Sequence, residues 1–439
     1  MKIEKFLDSE GFSLSPELGA GICEKAVIEM KKGLSPEGSS LKMLPSFVGG
    51  GVPEAEKPVI IIDAGGSNLR IGTMYFDKDL KPVIDELEKS AMPGLEKPIS
   101  ADEFYSELAS RVKHVSGKSD KIGFCFSYPS RITPEKDAEV LLVIKEWKAR
   151  VKGTMVGESL RKYLSPGNPE EFQVTVINDT VAALLGGKSA FMNENCSNWI
   201  GLIVGTGTNM AYIERVSEFS KLTPDEAAAA GDKEMAVNCE TGDICVLPYT
   251  AYDDGLDSGS DAPGFHRAEK MISGKYLGAL TALVISGAYN KGLFSETVSK
   301  GLREFPILET EEISRFLADP SKGFGGFTGM LLAEGTKEDI EGVLLIIRRM
   351  IRRSAFFIAC ELCAVLKKTG DGKDPDKPVG IMPDGSTFFG LPGYQDTIKE
   401  YMPLILGHDK RYYIFRRAEN PNLAGAGLAA LSRTAEEGF

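Results

Sequence analysis

The alternation of apolar and polar positions predicts strands and helices along the whole chain. The segment "PVIIIDAGGSNLRIGTMYFD", starting at Pro58, has apolar and β-branched residues on both sides of a glycine pair, which predicts strand, tight turn and strand. "DKIGFCFSYPS" and "EFQVTVIND" predict two more strands, the second ending at Asn178 and Asp179, and "TVAALLGGKSAFM" predicts a helix. Beyond residue 265 the pattern is mostly helical, with a surface loop expected at "DPSKGFGGFTG". We therefore expect an α/β fold.

A second segment repeats the first hairpin pattern. In "NWIGLIVGTGTNMAYIE", residues 198–214, superposing Gly207 on Gly66 also pairs Thr208 with Ser67 and Asn209 with Asn68. The two copies are too far apart for a solenoid, and they fit two similar α/β domains that each open with a glycine hairpin. Two such hairpins could face one ligand.

Length and composition agree with two globular domains. At 439 residues the chain is longer than one hydrophobic core usually accommodates. Its net charge of −12 disfavours nucleic acid and membrane surfaces as partners. Seven scattered cysteines and an N-terminus without an apolar signal core indicate the reducing cytoplasm, and no apolar run approaches the ~20 residues that span a bilayer.

Glycine turns of this kind can bind phosphate. Without a side chain, glycine lets backbone N–H groups approach phosphate oxygens, and Ser67 and Thr208 add hydroxyls. The segments are not a Walker A loop, which needs a Lys and a Ser or Thr after the glycines, and not a dinucleotide fingerprint, which must open a helix. An ordinary β-hairpin is the alternative for one turn alone; the matched pair favours phosphate.

Two aspartates stand at the ends of predicted strands. Asp63 closes an apolar strand, which suits either a contact to Mg²⁺ through water or a turn-capping role. Asp179 precedes a helix and could be its N-cap, or a general base that accepts the proton of an attacking hydroxyl. The local pattern leaves both choices open.

Several longer segments together resemble the hexokinase and glucokinase family of the actin-like ATPase superfamily. They are "LKMLPSFV", "DAGGSNLR", "GFCFSYPS", "INDTVAALL", "IGLIVGTGTNMAYIE", "MAVNCETGD", "PGFHRAEKMISGKYLG" and "VGIMPDGSTFFGLPGY". The resemblance covers nearly the whole chain and implies a two-domain, ribonuclease H-like α/β fold with a sugar and ATP cleft. It implies a small domain of residues 58–178 plus 424–439 and a large domain of residues 1–57 plus 179–423.

The resemblance also implies roles for individual residues. Asp179 would be the catalytic base and Lys145 a catalytic cation, and both would also contact the sugar. The other sugar contacts would be Ser127, Asn178, Asn209, Glu240 and Glu269. ATP contacts would come from Asp63, which also faces Mg²⁺ through water, and from Gly65, Gly66, Ser67, Asn68, Arg70, Thr206, Gly207, Thr208, Gly385 and Ser386.

Three departures from the family pattern bear on specificity. Val143, Ile144 and Lys145 replace a Trp-Thr-Lys run, so a sugar-contacting hydroxyl is lost. Thr241 replaces a tryptophan behind the sugar site, and near Gly425 the usual Gly-Ser-Gly is absent. We therefore expect an altered sugar preference or weaker sugar binding rather than inactivity.

The expected function is cytoplasmic, ATP- and Mg²⁺-dependent phosphorylation of a hexose, with glucose as first candidate and its 6-hydroxyl as acceptor. Cleft closure should follow sugar binding, with hinges near residues 178–180 and near 420. Alternatives are a kinase for fructose, mannose or an N-acetylated sugar, a non-catalytic sugar sensor and, more distantly, an actin-like filament protein.

Two further clusters are expected to be structural. Cys360 and Cys363 have metal-ligand spacing but no second pair, so we expect buried thiols and no metal site. Four arginines at helical spacing are expected on a solvated face or in intramolecular ion pairs: Arg348, Arg349, Arg352 and Arg353.

Overall fold

The structure is a computed structural model that describes residues 2–142, 147–231 and 233–432. Its strands are β1 (Leu44–Pro45), β2 (Val59–Ala64), β3 (Asn68–Phe76), β4 (Pro82–Ala91), β5 (Ile99–Ser100), β6 (Lys121–Phe126), β7 (Ser130–Ile132), β8 (Ala138–Val140), β9 (Ala149–Arg150), β10 (Gln173–Ile177), β11 (Asn198–Val204), β12 (Thr208–Arg215), β13 (Glu234–Asn238), β14 (Val379–Asp384) and β15 (Tyr413–Phe415). Its α-helices are α1 (Lys2–Ser9), α2 (Pro16–Gly33), α3 (Ala101–Val112), α4 (Val156–Leu164), α5 (Asp179–Ala190), α6 (Pro224–Ala229), α7 (Ala251–Ser258), α8 (Arg267–Ile272), α9 (Leu277–Asn290), α10 (Glu296–Glu304), α11 (Thr310–Ala318), α12 (Gly326–Glu334), α13 (Lys337–Thr369), α14 (Ser386–Gly390), α15 (Tyr394–Leu406) and α16 (Pro421–Leu431).

Two large sheets share one strand order. The five-stranded sheet runs β4-β3-β2-β6-β10, and the six-stranded sheet runs β13-β12-β11-β14-β15 with β1 added outside β13. In each sheet, neighbouring strands among the first three of that order run antiparallel. The last two run parallel to the third strand, which is β2 in one sheet and β11 in the other. This agreement confirms the internal repeat and the α/β fold that the sequence predicts.

The buried strands explain why the hairpins are rigid. All six residues of β2 are buried, as expected for an interior strand covered on both faces, whereas most of the edge strand β4 is exposed. β11 is buried at five of its seven positions. Each glycine turn therefore projects from a strand that the core holds in place.

Helices α5 and α16 pack against each other between the sheets. α16 also contacts β2 and β6, and α5 contacts β11. The approach is close: a Cβ on Gly425 would lie 1.9 Å from the carbonyl oxygen of Ala182, and one on Gly123 would lie 2.1 Å from that of Ala426. The glycines at these contacts thus allow the last helix to pack closely against its neighbours.

Where the domain boundaries fall stays a prediction.

The predicted loop at "DPSKGFGGFTG" is too long at its C-terminal end. The helix α12 starts at Gly326, inside the expected loop. Gly325 and Gly326 both have positive φ, and the Thr328 N–H donates to a Glu312 side-chain oxygen at 2.7 Å, which satisfies a free N–H of the first turn. A long-range acceptor of this kind leaves no local sequence signal.

Three of the four arginines form intramolecular ion pairs of the kind the sequence analysis expects, and both cysteines are buried. Arg349 pairs with Asp8, Arg352 with Glu400 and the buried Arg353 with Asp253. Cys360 and Cys363 are buried free thiols, and no group of three or more potential metal-ligating side chains occurs among the described residues. In that same part of the chain, no helix combines the length and apolarity needed to cross a membrane.

Candidate active site

The first glycine turn joins β2 to β3. The Gly65 N–H donates to the Asn68 carbonyl at 2.9 Å, and the Tyr128 hydroxyl lies 3.2 Å from the carbonyl oxygens of both Gly65 and Gly66. Gly66, Ser67 and Asn68 are exposed. The turn is therefore anchored by its carbonyl groups, while its tip remains open to a ligand.

Asp63 lies at the base of this turn and is 5% exposed. The Arg70 Nε donates to its Oδ2 atom at 2.9 Å, and Arg70 Nη2 forms an ion pair with the same oxygen. The other oxygen, Oδ1, is buried and has no hydrogen-bond partner among the described residues. Burial and the nearby charges of Asp63 and Asp179 raise the pKa of Cys125 well above its ordinary value.

The second glycine turn joins β11 to β12. The Gly205 carbonyl oxygen accepts from the Gly274 N–H at 2.8 Å and from the Thr387 hydroxyl at 2.9 Å. Thr206 at the tip is exposed, whereas the hydroxyl of Thr208 is buried without a partner in the described part of the chain. Neighbouring elements, rather than the hairpin alone, thus fix this turn.

The two turns are similar but have different registers. In the first, Ala64 pairs with Leu69 across the turn; in the second, Val204 pairs with Thr208, so the second turn is shorter by one residue. Ser67 consequently lies in its turn, whereas Thr208 begins its strand. Aligning the glycines of the two sequences does not reveal this offset.

Asp179 is the first residue of α5, at the end of β10. The N-cap is Asn178, whose Oδ1 accepts from the Thr180 N–H at 2.9 Å, so the capping role considered for Asp179 belongs to its neighbour. Burial raises the pKa of Asp179 to about 6, hydrogen bonds from Thr180 oppose the rise, and the negative charges of Glu240 and Asp63 add to it. Asp179 therefore lies within electrostatic range of both Glu240 and Asp63.

An amide and carboxylate network lies beside Asp179. Asn209 Nδ2 donates to Asn238 Oδ1 at 2.7 Å, and Asn238 Nδ2 donates to Glu240 Oε1 at 2.7 Å. Glu240 has φ of 59° and ψ of 53°, a left-handed conformation that is strained for a residue with a side chain. Asn238 was not predicted, and only its position two residues before Glu240 hinted at it.

Glu269 reaches the second turn from α8. Its Oε2 accepts from the Thr208 N–H at 3.1 Å. Burial raises the pKa of Glu269, although that hydrogen bond lowers it in part. The neighbouring His266 forms a hydrogen bond with Asp243, which raises the pKa of His266 above its ordinary value. His266 thus pairs with a carboxylate rather than with a nucleophile.

A cavity of about 530 Å³ adjoins the second turn. It contains the predicted Thr206 and Ser386, while Gly385, with φ of 110°, allows β14 to approach the Val204 carbonyl closely. Sequence reasoning did not assign the other lining residues, which come from distant helices and loops: Gly205, Gly274, Lys275, Glu309, Thr310, Glu311, Ser314, Thr387, Gly390 and Leu391. The cavity has the position and size expected for a nucleotide site.

Behind Glu240, a buried carboxyl group faces the residue that departs from the family pattern. Glu361 on α13 and Thr241 are each 1% exposed. Burial raises the pKa of Glu361 to about 8, opposed by the nearby Thr241 hydroxyl. Apart from each other, the Glu361 carboxyl oxygens and that hydroxyl have no hydrogen-bond partner within the described residues. Nothing in the helical pattern of α13 signals this polar core position.

The remaining predicted positions divide into two groups. Ser127 is half-buried at the end of β6, and its N–H donates to the Ala64 carbonyl at 3.1 Å, next to the first turn. Val143, Ile144 and Lys145 lie outside the described residues. The prediction for Lys145 and the lost hydroxyl at Ile144 therefore stay predictions.

Comparison with known proteins agrees with this geometry. Two hexokinase family models match residues 3–189 and 199–432. Hexokinase-1 of Schizosaccharomyces pombe is 28% identical over 91% of this chain and 84% of its own length, and Glucokinase-1 of Saccharomyces cerevisiae is 28% identical over 96% and 95%. The fold matches that of a Schistosoma mansoni hexokinase complexed with glucose, with a TM-score of 0.73, 24% identity and coverage of 98% and 99% of the two chains. The chain therefore belongs to the hexokinase family.

Proposed function

We propose that this enzyme transfers the γ-phosphoryl group of ATP to the 6-hydroxyl of glucose, with Asp179 as general base. The broader activity, ATP-dependent phosphorylation of a hexose, follows from its membership of the hexokinase family. The choice of glucose is supported by the fold it shares with a hexokinase complexed with that sugar. The residue roles rest on the site geometry.

The placement of Asp179 is the observation that carries the proposal. A general base works best when its pKa lies near the working pH, and burial raises the pKa of Asp179 to about 6. Its carboxylate is half-buried at the end of β10, beside Asp63 on one hairpin and the Glu240 network next to the other. A hydroxyl bound there could give up its proton as it attacks phosphorus.

Carboxylates and amides near Asp179 suit a polyol. Glu240 and Glu269 accept hydrogen bonds, and the amides of Asn178 and Asn209 both donate and accept. Each of several adjacent sugar hydroxyls could therefore find a partner. Ser127 would add a hydroxyl from the opposite sheet. Lys145, in the segment outside the described residues, is the proposed cation near the transferring group.

The two glycine turns are the proposed phosphate contacts. Gly65, Gly66, Ser67 and Asn68 would act from the first hairpin, whereas the guanidinium of Arg70 binds Asp63 and Asn420. Thr206, Gly207 and Thr208 would act from the second, with Gly385 and Ser386 on the adenosine side. Exposed turn tips above buried strands offer backbone N–H groups that need no reorganisation when charge develops on the phosphates.

The chain also offers a fitting position for Mg²⁺. The unpartnered, buried Oδ1 atom of Asp63 is a hard oxygen acceptor that could hold a water of the cation. When bound with ATP, Mg²⁺ would neutralise charge on the β- and γ-phosphates. The cysteines are dispersed and unpaired, which supports the proposed cytoplasmic location of the enzyme.

The test is a coupled assay of ADP formation with Mg-ATP and a panel of hexoses. We expect glucose-dependent turnover, and a kcat loss of about 10²- to 10⁴-fold for Asp179→Asn. Hexose binding by calorimetry should persist in that variant. The matched control is Asp79→Asn, an exposed aspartate in the β3–β4 turn. Full activity of Asp179→Asn would refute the assigned base.

A kinase for another hexose is the second candidate. The observation that favours it is Thr241, which replaces the family's tryptophan behind Glu240 and lies buried next to the carboxyl group of Glu361. Ratios of kcat/KM for glucose, fructose, mannose and an N-acetylated sugar decide between the candidates. Sugar binding without turnover of any of them would instead support a non-catalytic sensor.

A further inference from the structure

The resemblance assigns Arg70 to the ATP phosphates, but in the structure its guanidinium is engaged elsewhere. Nε and Nη2 both bind Oδ2 of Asp63, and Nη1 donates to Asn420 Oδ1 at 3.0 Å. All three guanidinium nitrogens therefore contact protein groups. The side chain is 26% exposed, so the contacts lie partly inside the fold.

The arginine leaves the two oxygens of Asp63 in different states. Oδ2 receives two donors of a planar fork, which fixes the plane of the carboxylate. Oδ1 is buried and has no hydrogen-bond partner in the described part of the chain. An oriented carboxylate with one occupied and one free oxygen can present that free oxygen to a ligand in a single direction.

Asn420 connects this pair to the helix between the sheets. It precedes α16, with φ of 48° and ψ of 49°, a left-handed conformation that asparagine adopts more readily than most residues. α16 packs against β2, the strand that carries Asp63. Arg70 therefore contacts Asn420, which lies 350 positions away in sequence at the start of a helix that packs against the same strand.

We propose that Arg70 is a positioning residue that orients Asp63 through Oδ2 and holds it to Asn420 at the start of α16, so that Oδ1 faces the phosphate-bound cation. The inference rests on the proposed role of Asp63 toward Mg²⁺. According to this proposal, Arg70 strengthens nucleotide binding only when Mg²⁺ is bound. Asn420 gains a role that the family resemblance does not include.

A direct phosphate contact by Arg70 makes a different prediction. A guanidinium bound to phosphate strengthens nucleotide binding whether or not Mg²⁺ is present. A guanidinium that only orients Asp63 strengthens binding when the cation is present. Dependence on Mg²⁺ therefore separates the two roles.

The experiment uses calorimetry with a non-hydrolysable ATP analogue, in excess Mg²⁺ and in EDTA, on the full chain. Arg70→Lys keeps the positive charge but loses the fork. We expect its affinity to fall about 10- to 100-fold with Mg²⁺, the usual cost of losing a partner that orients a metal-site carboxylate, and to stay unchanged in EDTA. Asn420→Ala should show a smaller loss of the same kind, and the double variant should be no worse than Arg70→Lys.

Controls separate this inference from folding and from the proposed function. Thermal denaturation checks the fold, and Arg131→Lys, at an exposed arginine paired with Glu139, should bind as the parent does. Hexose affinity should be unchanged in every variant. Equal losses with and without Mg²⁺, or additive effects of the two substitutions, would overturn the inference. Because no turnover is needed, failure of the parent to phosphorylate hexoses would be seen separately in the coupled assay.

Discussion

At the scale of single residues, location as well as burial decides which acidic groups can do chemistry. Asp179 and Glu361 both have raised pKa values, yet one faces the carboxylates of the cleft and the other is enclosed behind Thr241. Sequence resemblance predicted a role for Asp179. It gave no sign of Glu361 or of the Arg70 contact to Asn420, because each depends on residues brought together from distant parts of the chain.

The pKa of Asp179 leads to a prediction on activity. A base must be deprotonated to act, so kcat/KM for the hexose should fall as pH decreases through about 6, with a slope indicating one proton. The measurement is kcat/KM from pH 5 to pH 8 with saturating Mg-ATP. A flat profile between pH 7 and pH 5 would contradict the assignment of Asp179 as the base.

The pKa of Glu361 leads to a prediction on stability. Its folded-state pKa, about 8, lies above the ordinary value of 4.5. The protonated carboxyl group therefore contributes fully to the free energy of unfolding below pH 4.5, and this contribution is lost as pH rises toward 8. One proton changes the free energy of unfolding by up to about 1.4 kcal/mol per pH unit in that window. Glu361→Gln, which cannot ionise, should therefore gain stability relative to the parent from pH 5 to pH 8.

Urea denaturation of both proteins at several pH values measures this difference. If the free energies of unfolding of Glu361→Gln and of the parent changed equally between pH 5 and pH 8, Glu361 would have an ordinary pKa and the prediction would be wrong. Glu338→Gln, at the first turn of α13 and exposed, is the matched control.

At the scale of elements, period and turn chemistry predicted both hairpins, β6, β10 and α5. They did not predict the lengths of the turns, because contacts from Gly274 and Thr387 to the Gly205 carbonyl help to fix the second one. The sequence analysis noted that the Gly-Ser-Gly pattern of the family is absent near Gly425. The structure instead places Gly425 against α5, where packing demands a residue without a side chain.

The contact between α16 and α5 leads to a mutational prediction. A methyl group on Gly425 would lie 1.9 Å from the Ala182 carbonyl oxygen, so Gly425→Ala must separate the helices. We expect a loss of about 1 to 3 kcal/mol in the free energy of unfolding, the usual cost of overpacking. Gly329→Ala, in α12 with nothing within 4 Å of the added methyl group, should be neutral or stabilising. Equal stability of the two variants would contradict the packing role.

At the scale of the whole molecule, two similar sheets and the helices between them provide the cleft. Length and the repeated hairpin were enough to expect two α/β units. The domain boundaries and the hinges near residues 178–180 and 420 remain predictions, because a sequence pattern does not show which segments move together. The link between Arg70 and Asn420 lies at the second of these hinges.

Closure of the cleft is therefore the prediction at this scale. Hexose binding should bring the sheets together, excluding water from Asp179 before phosphoryl transfer. Small-angle X-ray scattering should show a smaller radius of gyration with glucose than without it, and no change with a pentitol that does not bind. An unchanged radius at saturating hexose would refute closure.

The shared strand order has a consequence for how the molecule can change. In a symmetric dimer of identical chains, every substitution appears in both halves, so the two hairpins could never specialise. Here both halves belong to one chain, and the second paired position from each turn is Asp63 with Arg70 in one hairpin but Ile203 with Asn209 in the other. One half carries charge and the other an amide. Fusion in a single polypeptide thus lets two sheets of the same topology carry different side chains at equivalent positions.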